Sequence, residues 1–508
     1  MKGYVFMKRI SLFRLTSLAL SALMLAGLVS CANGNGNQTD TSAASKAETT
    51  TVVPGSDAET TTDDTTPTFR EANYNSEDFV LLARSTTEST YNTMYMMSDG
   101  INGDYMNDAV YTRNVAVENK YNIKLKMIEK SHPYKDLPNM VNTNDTVDLM
   151  YDQRRNMGGL ITSGYLLDMG KYDYIMNFES SYWDANAYEE YRVANRLYMM
   201  PNDVSTQNLA GVRFLYFNKN LITNFKLTSP YTYIENNEWT LDKFLEITSV
   251  CFNDENGDGK YDKEDVVGLV YDNTLIKNLI SGCGVKFTES QKDGTIVSAF
   301  NNPRTESVIS TLRAGLLGQN YAITYDNYTH GADMSGFATK YTYTASLFAQ
   351  DKFMFIYWGL NCTELLSEME GYGVAPNPMF DKDQGRYYHR ADGYVSIFTM
   401  PTIVKDPERT ATILEYWAYK SSQTVMPSYY DITIKARRVA DAKAANVLDI
   451  VKGSIRYEIS SECQSFGIDD ILNQAYDSGN FSSLLKGNEK SINSKIKNFY
   501  DAVVKLDK

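Results

Sequence analysis

Histidine is nearly missing from this chain: 508 residues carry three, His132, His330 and His389. Metal and Ser–His chemistry are therefore poorly supplied, and neither HExxH nor GxSxG occurs. His132 precedes a proline and His389 follows two tyrosines, so both read as loop or surface residues. Cysteine is scarce too, with five in all and no CxxC spacing, so neither zinc nor a thioredoxin-type couple is supported. The Gly-Cys-Gly at 282–284 lacks the third glycine and the helix start of a dinucleotide loop. Beyond residue 30 no apolar run is long enough to cross a bilayer of about 30 Å. Cations are in deficit, 49 Lys and Arg against 63 Asp and Glu, for a net charge of −14. Four of those cations lie in residues 1–30, so the remainder carries −18. That balance argues against nucleic acid and against docking on anionic lipid.

What is present begins with a processing signal. Lys8, Arg9 and Arg14 precede an apolar run from Leu15 to Val29 that ends in small residues. This is the layout of a signal peptide over 1–30, with Met7 the better start. Leu-Val-Ser-Cys (28–31) resembles the lipobox of bacterial lipoproteins, which implies lipidation at Cys31. Residues 31–75 are rich in Thr, Asp, Glu, Asn and Gly and bury too little to offset ordering entropy. They read as a disordered tether spanning roughly 35–40 Å.

The remainder is too long for one simple core and suggests two domains. DFVLLAR (78–84) reads as a buried strand, 105–121 as a helix with Val110, Val115, Val117 and Tyr121 on its apolar side. NIKLKMIEK (122–130) alternates as a strand, TVDLMYD (146–152) is a buried strand, and the run from Arg154 to Tyr172 reads as a helix. This order points to an α/β lobe with a largely parallel sheet. Further on, VRFLYF reads as a strand running into an Asn-Lys-Asn turn, and 239–250 as a helix capped by Thr240. LFAQDKFMFIYWGLN (347–361) and GYGVAPNPMFD (371–381) read as short strands with turns. Residues 406–422 form a helix with Asp406 as cap, Pro407 in the first turn, and Ile413, Leu414 and Trp417 inward. Cys251, Cys283, Cys362 and Cys463 either form two disulfides or stay as buried thiols.

DENGDGKYDKED (254–265) matches a calcium loop. Asp254, Asn256, Asp258, Lys260 through its carbonyl, Asp262 and Asp265 are the expected ligands. The loop occurs once and joins a helix to a strand, and Asp265 replaces the usual bidentate Glu. The expectation is a structural Ca2+ site and not a sensor; the alternative is an acidic turn without an ion.

The order of these pieces resembles extracellular solute-binding proteins of bacterial ABC importers, the large sugar-binding type that includes maltose-binding protein. The resemblance is carried by DLMYDQRRNMGGLITSGYLLDM (148–169), YWDANAYEEYRVANRLYMMP (182–201), RFLYFNKNLI (213–222), EWTLDKFLEIT (238–248), FAQDKFMFIYWG (348–359) and residues 392–421. It implies an α/β, two-lobe periplasmic-binding-protein-like fold with a hinge, an interlobe ligand cleft and no catalysis. The first lobe would hold 76–210 plus 392–422, the second 211–391 plus 423–508, with crossings near 210–214 and 388–394. It also implies ligand-binding roles for Asp152, Arg154 and Arg155 after the third strand, and for Trp358 as a stacking aromatic. Trp183, Asp203, Tyr429 and Tyr430 are further candidates. Arginine forks and carboxylates bind hydroxyls while aromatic faces cover the apolar side of a sugar ring. The function expected is a monomeric, lipid-anchored protein on the extracellular face that captures a carbohydrate, expected to be an oligosaccharide, for an ABC permease. A glycan-capture or sensory lipoprotein, a peptide ligand, or a glycoside hydrolase are the competing readings.

Overall fold

The computed structural model describes residues 67–506 apart from 87–94, 258, 260–263, 273, 391, 439–440 and 463–465. The expected signal peptide, Cys31, most of the tether, Asp258, Lys260, Asp262 and Cys463 lie outside the described residues.

Strand β1 (Glu77–Arg84) is apolar along most of its length because it is a central strand, buried from Phe79 to Ala83. It pairs in parallel with β2 (Ile123–Lys130) and β3 (Leu149–Gln153). Far along the chain β11 (Ser396–Thr399) returns antiparallel to β3, giving the order β11-β3-β1-β2. The second sheet runs β10-β4-β9-β5-β8. Its strands are β4 (Arg213–Asn218), β5 (Val267–Tyr271), β8 (Ala322–Thr324), β9 (Phe353–Gly359) and β10 (Tyr372–Ala375). A separate hairpin joins β6 (Thr288–Ser290) to β7 (Ile296–Ser298).

Helix α1 (Tyr105–Tyr121) is capped by Asp104, whose carboxylate accepts from the Asn107 amide. Val110, Val117 and Tyr121 face inward as expected, but Arg113 and Asn114 share that face while Val115 is half-buried. Helix α2 (Pro133–Thr143) was not legible in the sequence, since its two prolines argue locally for a loop. Pro133 occupies the first turn, where its missing N–H costs nothing. The helix expected from Arg154 to Tyr172 is corrected to a one-turn 3-10 segment, a short helix α3 (Met157–Thr162) and a further turn. Gly164, in the left-handed region at φ +73°, ends it. The Asn-Lys-Asn turn is corrected as well: Asn218 caps Leu221 and starts helix α4 (Lys219–Asn224).

Helix α5 (Leu241–Val250) leads through the acidic loop into β5. Gly268 is required in that strand, because an added Cβ would collide with the Thr248 carbonyl at the end of α5. Helix α6 (Pro407–Gln423) has its Asp406 cap and buries Ile413, Leu414 and Trp417 against α1 and β1. Residues 425–438 lean on α1 and also touch residues 362–365 of the second lobe. Helices α7 (Ala442–Lys452) and α8 (Phe481–Lys505) follow, α7 packing on β10 and α8 on β7. Cys251, Cys283 and Cys362 are buried free thiols.

Two segments pass between the sheets side by side. The Arg213 amide donates to the Arg390 carbonyl at 3.3 Å and the Asp392 amide to the Gly211 carbonyl at 3.0 Å. A third segment joins them: His389 N–H donates to Ser454 C=O and Arg456 N–H to His389 C=O. His389 is fully buried at this junction, which corrects its reading as a loop or surface residue. Its Nε2 accepts from the Asn377 amide at 2.9 Å and its Nδ1 meets Ser454 Oγ at 2.7 Å.

Candidate ligand cleft

The crossing segments run straight into β4 at Arg213 and into β11 at Ser396, so those strand ends meet at the junction. Beside them lie the carboxyl ends of β1, β2 and β3 in one lobe and of β5, β8 and β9 in the other. Open α/β sheets bind ligands at such edges, because loops leave the strands there in different directions.

On the first edge the three expected residues divide. Asp152 is fully buried, and its carboxylate accepts from the amides of Tyr134 (2.9 Å) and Gln153 (2.7 Å). Burial pushes that carboxyl up while the two amides oppose it. Arg154 is buried under the junction, donating to the Asp392 carbonyl and the Tyr191 hydroxyl, with Tyr457 beneath its guanidinium. These two residues are therefore corrected from ligand contacts to supports of the loop and the crossing. Arg155 alone reaches outward: its guanidinium lies 3.6 Å from the ring of Tyr394, which is 55% exposed. Its Nε donates to Gln153 Oε1 at 3.1 Å, which fixes the stack.

On the second edge Trp358 is half-buried at the end of β9, with its ring edge-on to Tyr341 (4.6 Å) and Tyr325 (6.0 Å). Between the edges Arg213 pairs with Asp272 at 2.9 Å and with Asp392 at 2.7 Å. Burial works against the Arg213 charge, but the two carboxylates outweigh it and hold it above the usual arginine value. Burial also works against Asp392, and Arg213 reverses that, holding the carboxyl below its ordinary range. Arg213 and Asp392 thus stay ionised and paired in the floor of the cleft.

Trp183, Tyr429 and Tyr430 are corrected to core residues. Trp183 donates from Nε1 to Glu415 at 2.8 Å beside Phe178, and Tyr430 donates to Asp449 at 3.0 Å. Tyr429 packs near Tyr95. Asp203 lines a separate cavity with Trp183. Tyr394, Tyr341, Arg213 and Asp272 were missed; only Arg213, the lone cation of an apolar strand, carried a local signal.

Compared by sequence, the chain matches no family model and no curated protein. Its structure is similar to several solved ones. A sugar transporter protein from Rhizobium etli in an open conformation aligns with TM-score 0.53 and 12% identity, over 84% of this chain and 98% of that one. M. tuberculosis UspC aligns at 0.51 and 13%, over 82% and 100%. A cyclo/maltodextrin-binding protein complexed with maltotetraose aligns at 0.50 and 14%, over 84% and 96%. The fold is the two-lobe fold of solute-binding proteins.

In this two-lobe body the acidic loop does join a helix to a strand. Asp254 accepts from the amides of Gly257 (2.7 Å) and Gly259 (3.0 Å), and buried Asp265 accepts from the Glu255 amide at 3.2 Å. Those bonds bring the first and last acidic positions of the loop together, as a shared cation requires. Against this, Lys352 already places an ammonium 3.7 Å from Glu255, and among the described residues no three acidic, His or Cys side chains gather. Among the described residues, too, no helix is long and apolar enough to cross a membrane.

Proposed function

We propose that this chain is an extracytoplasmic solute-binding protein that captures a carbohydrate for an ABC importer and carries out no reaction on it. The observation that carries the reading is the pairing of two unlike edges across hydrogen-bonded crossings. Arg155 and Tyr394 stand on one edge, Trp358 and Tyr341 on the other, and the Arg213–Asp272–Asp392 pairs lie between. Aromatic faces suit the apolar side of a sugar ring, and fixed charges suit its hydroxyls. Crossings of this kind let the lobes close about a hinge.

Lipidation at Cys31 and the acidic tether would hold the body at the outer membrane surface without inserting it. The 254–265 loop would hold one Ca2+ as a strut. Asp254, Asn256 and Asp265 would be its ligands in the described part, and affinity would suit millimolar extracellular calcium.

Thermal unfolding of the chain from Ala32 onward, with a panel of mono- and oligosaccharides, peptides and amino acids, tests this. A ligand at a hundred times its Kd adds about 2.7 kcal/mol. One sugar class raising the midpoint is the expected result. A rise with peptides alone refutes the carbohydrate assignment, and consumption of a sugar during the assay refutes the binding role. A chelator that leaves the midpoint unchanged refutes the calcium strut.

A further inference from the structure

A cavity of about 350 Å3 opens beside the crossings and shares none of the residues that form the two cleft edges. Its walls come from residues 181–185 and 201–209 of the first lobe, from the end of α7, and from Gly453 and Ile455 of the third crossing. Among the described residues, two buried polar atoms in it have no partner, and a half-buried carboxyl beside them takes no hydrogen bond. Asn202 is 6% exposed; its Oδ1 accepts from the Val204 amide at 3.1 Å, which orients an Nδ2 without a partner. Asn208 donates from Nδ2 to the Tyr457 hydroxyl at 2.6 Å, leaving its buried Oδ1 unpartnered. The Asp203 carboxyl takes no hydrogen bond from any described residue, whereas neighbouring Asp184 and Asp449 are occupied. Buried unpaired polar atoms cost about 1–3 kcal/mol each, so Asn202 Nδ2 and Asn208 Oδ1, two such atoms lining one cavity, are matched to something that fills it.

We propose that this cavity is a second ligand site, taking a small uncharged polyhydroxylated molecule between glycerol and a monosaccharide in size. The volume sits at the small end of ligand pockets, roughly 300–1000 Å3. A vicinal diol supplies both the acceptor that Asn202 Nδ2 needs and the donor that Asn208 Oδ1 needs. Burial pushes the Asp203 carboxyl up to about 7, with Lys452 pulling it down and Asp184 pushing it further up. Near neutral pH that group can therefore donate to a hydroxyl or accept from one. Asp449 is already paired with Lys435, the Lys452 ammonium offsets Asp184, and Asp203 is half-protonated near neutral pH, so the space carries little net charge and suits a neutral ligand. The site is independent of what the cleft takes.

Calorimetric titration of the chain from Ala32 onward with glycerol and with D-glucose tests the proposal. At least one probe should bind saturably to the wild type, tenfold or more weakly to Asp203→Leu, and undiminished to the cleft variant Tyr394→Ala. Because the carboxyl holds no partner in the fold, Asp203→Leu should keep the wild-type thermal midpoint; if it does not fold, Asp203→Ala decides by the same criterion. No saturable binding of either probe to the wild type overturns the site. So does binding that survives removal of the Asp203 carboxyl, or that disappears in Tyr394→Ala.

Discussion

The first lobe closes its seams with buried ions, and the second fills its sheet with uncharged side chains. In the first, Arg113 is fully buried and donates to the carbonyls of Tyr95, Met96 and Val204, with Trp417 beside it. Arg409 of α6 reaches buried Asp148 at 2.8 Å and the Asp78 carbonyl at 2.8 Å. In the second, Leu215, Phe217, Val270, Phe355 and Ile356 are fully buried, and Trp239 needs only the Pro376 carbonyl. Apolar burial is strong but non-directional. The first lobe must receive β11 and α6 from more than two hundred residues away, and a hydrogen-bonded ion pair registers that return where apolar contact alone would not.

The contrast breaks most visibly at Arg409. Arg409→Ala strands the Asp148 carboxylate and should cost about 3–5 kcal/mol at neutral pH. Phe355→Ala in the second sheet should cost a similar 3–5 kcal/mol by leaving a cavity. The two losses differ in their pH dependence. Burial already pushes the Asp148 carboxyl up, opposed by the Val80 amide and Arg409; without Arg409 it should rise further and protonate under mild acid. Urea unfolding at pH 7 and pH 5 should therefore show the Arg409→Ala penalty shrinking and the Phe355→Ala penalty constant. Parallel behaviour would mean that the ion pair does not decide the first lobe's stability.

The junction between the lobes gives a smaller, graded effect. Burial lowers His389 to about 3 from an ordinary 6.5, so the folded protein keeps the ring neutral. Its contribution is complete above pH 6.5 and is lost as pH falls towards 3, at about 1.4 kcal/mol per pH unit. Glu458 acts in the opposite sense. Burial pushes its carboxyl up to about 7, and its contribution is lost as pH rises from 4.5 through 7. His389→Asn isolates the first effect. Its stability, lower than wild type at pH 7, should fall less steeply between pH 6.5 and 5. An unchanged slope would place the proton elsewhere.

Strands β1, β3 and β4 were legible because burial on both faces writes itself into consecutive apolar residues, edge strand β2 through its alternation, and α6 through a cap followed by Pro407. Helix α2 was not, because Pro133 and Pro138 argue for a loop until Leu137 and Met140 find the first sheet. The cleft was half legible. Arg155 comes just after β3 and Trp358 sits at the end of β9, whereas Tyr394 becomes a site residue only when β11 lies down beside β3. Trp183 and Trp358 were both candidate ring faces in the sequence, Trp358 the stronger; Glu415, more than two hundred residues on, makes the first a core residue. Pairings at that separation leave no local trace, and 38 tyrosines hide the few that matter.

The two edges themselves should separate by mutation. Tyr394 is exposed and touches the fold through Arg155, so Tyr394→Ala should leave stability within about 0.5 kcal/mol of wild type. It removes an aromatic face and frees the Arg155 guanidinium, so cleft affinity should fall about tenfold, or about 1.4 kcal/mol. Trp358 packs against Tyr341 and Tyr325, so Trp358→Ala should lower affinity and stability together. Calorimetry with the sugar that raises the thermal midpoint, alongside unfolding of both variants, reads the two effects separately. A Tyr394→Ala protein that binds as tightly as wild type would leave the second edge to hold the ligand without the first.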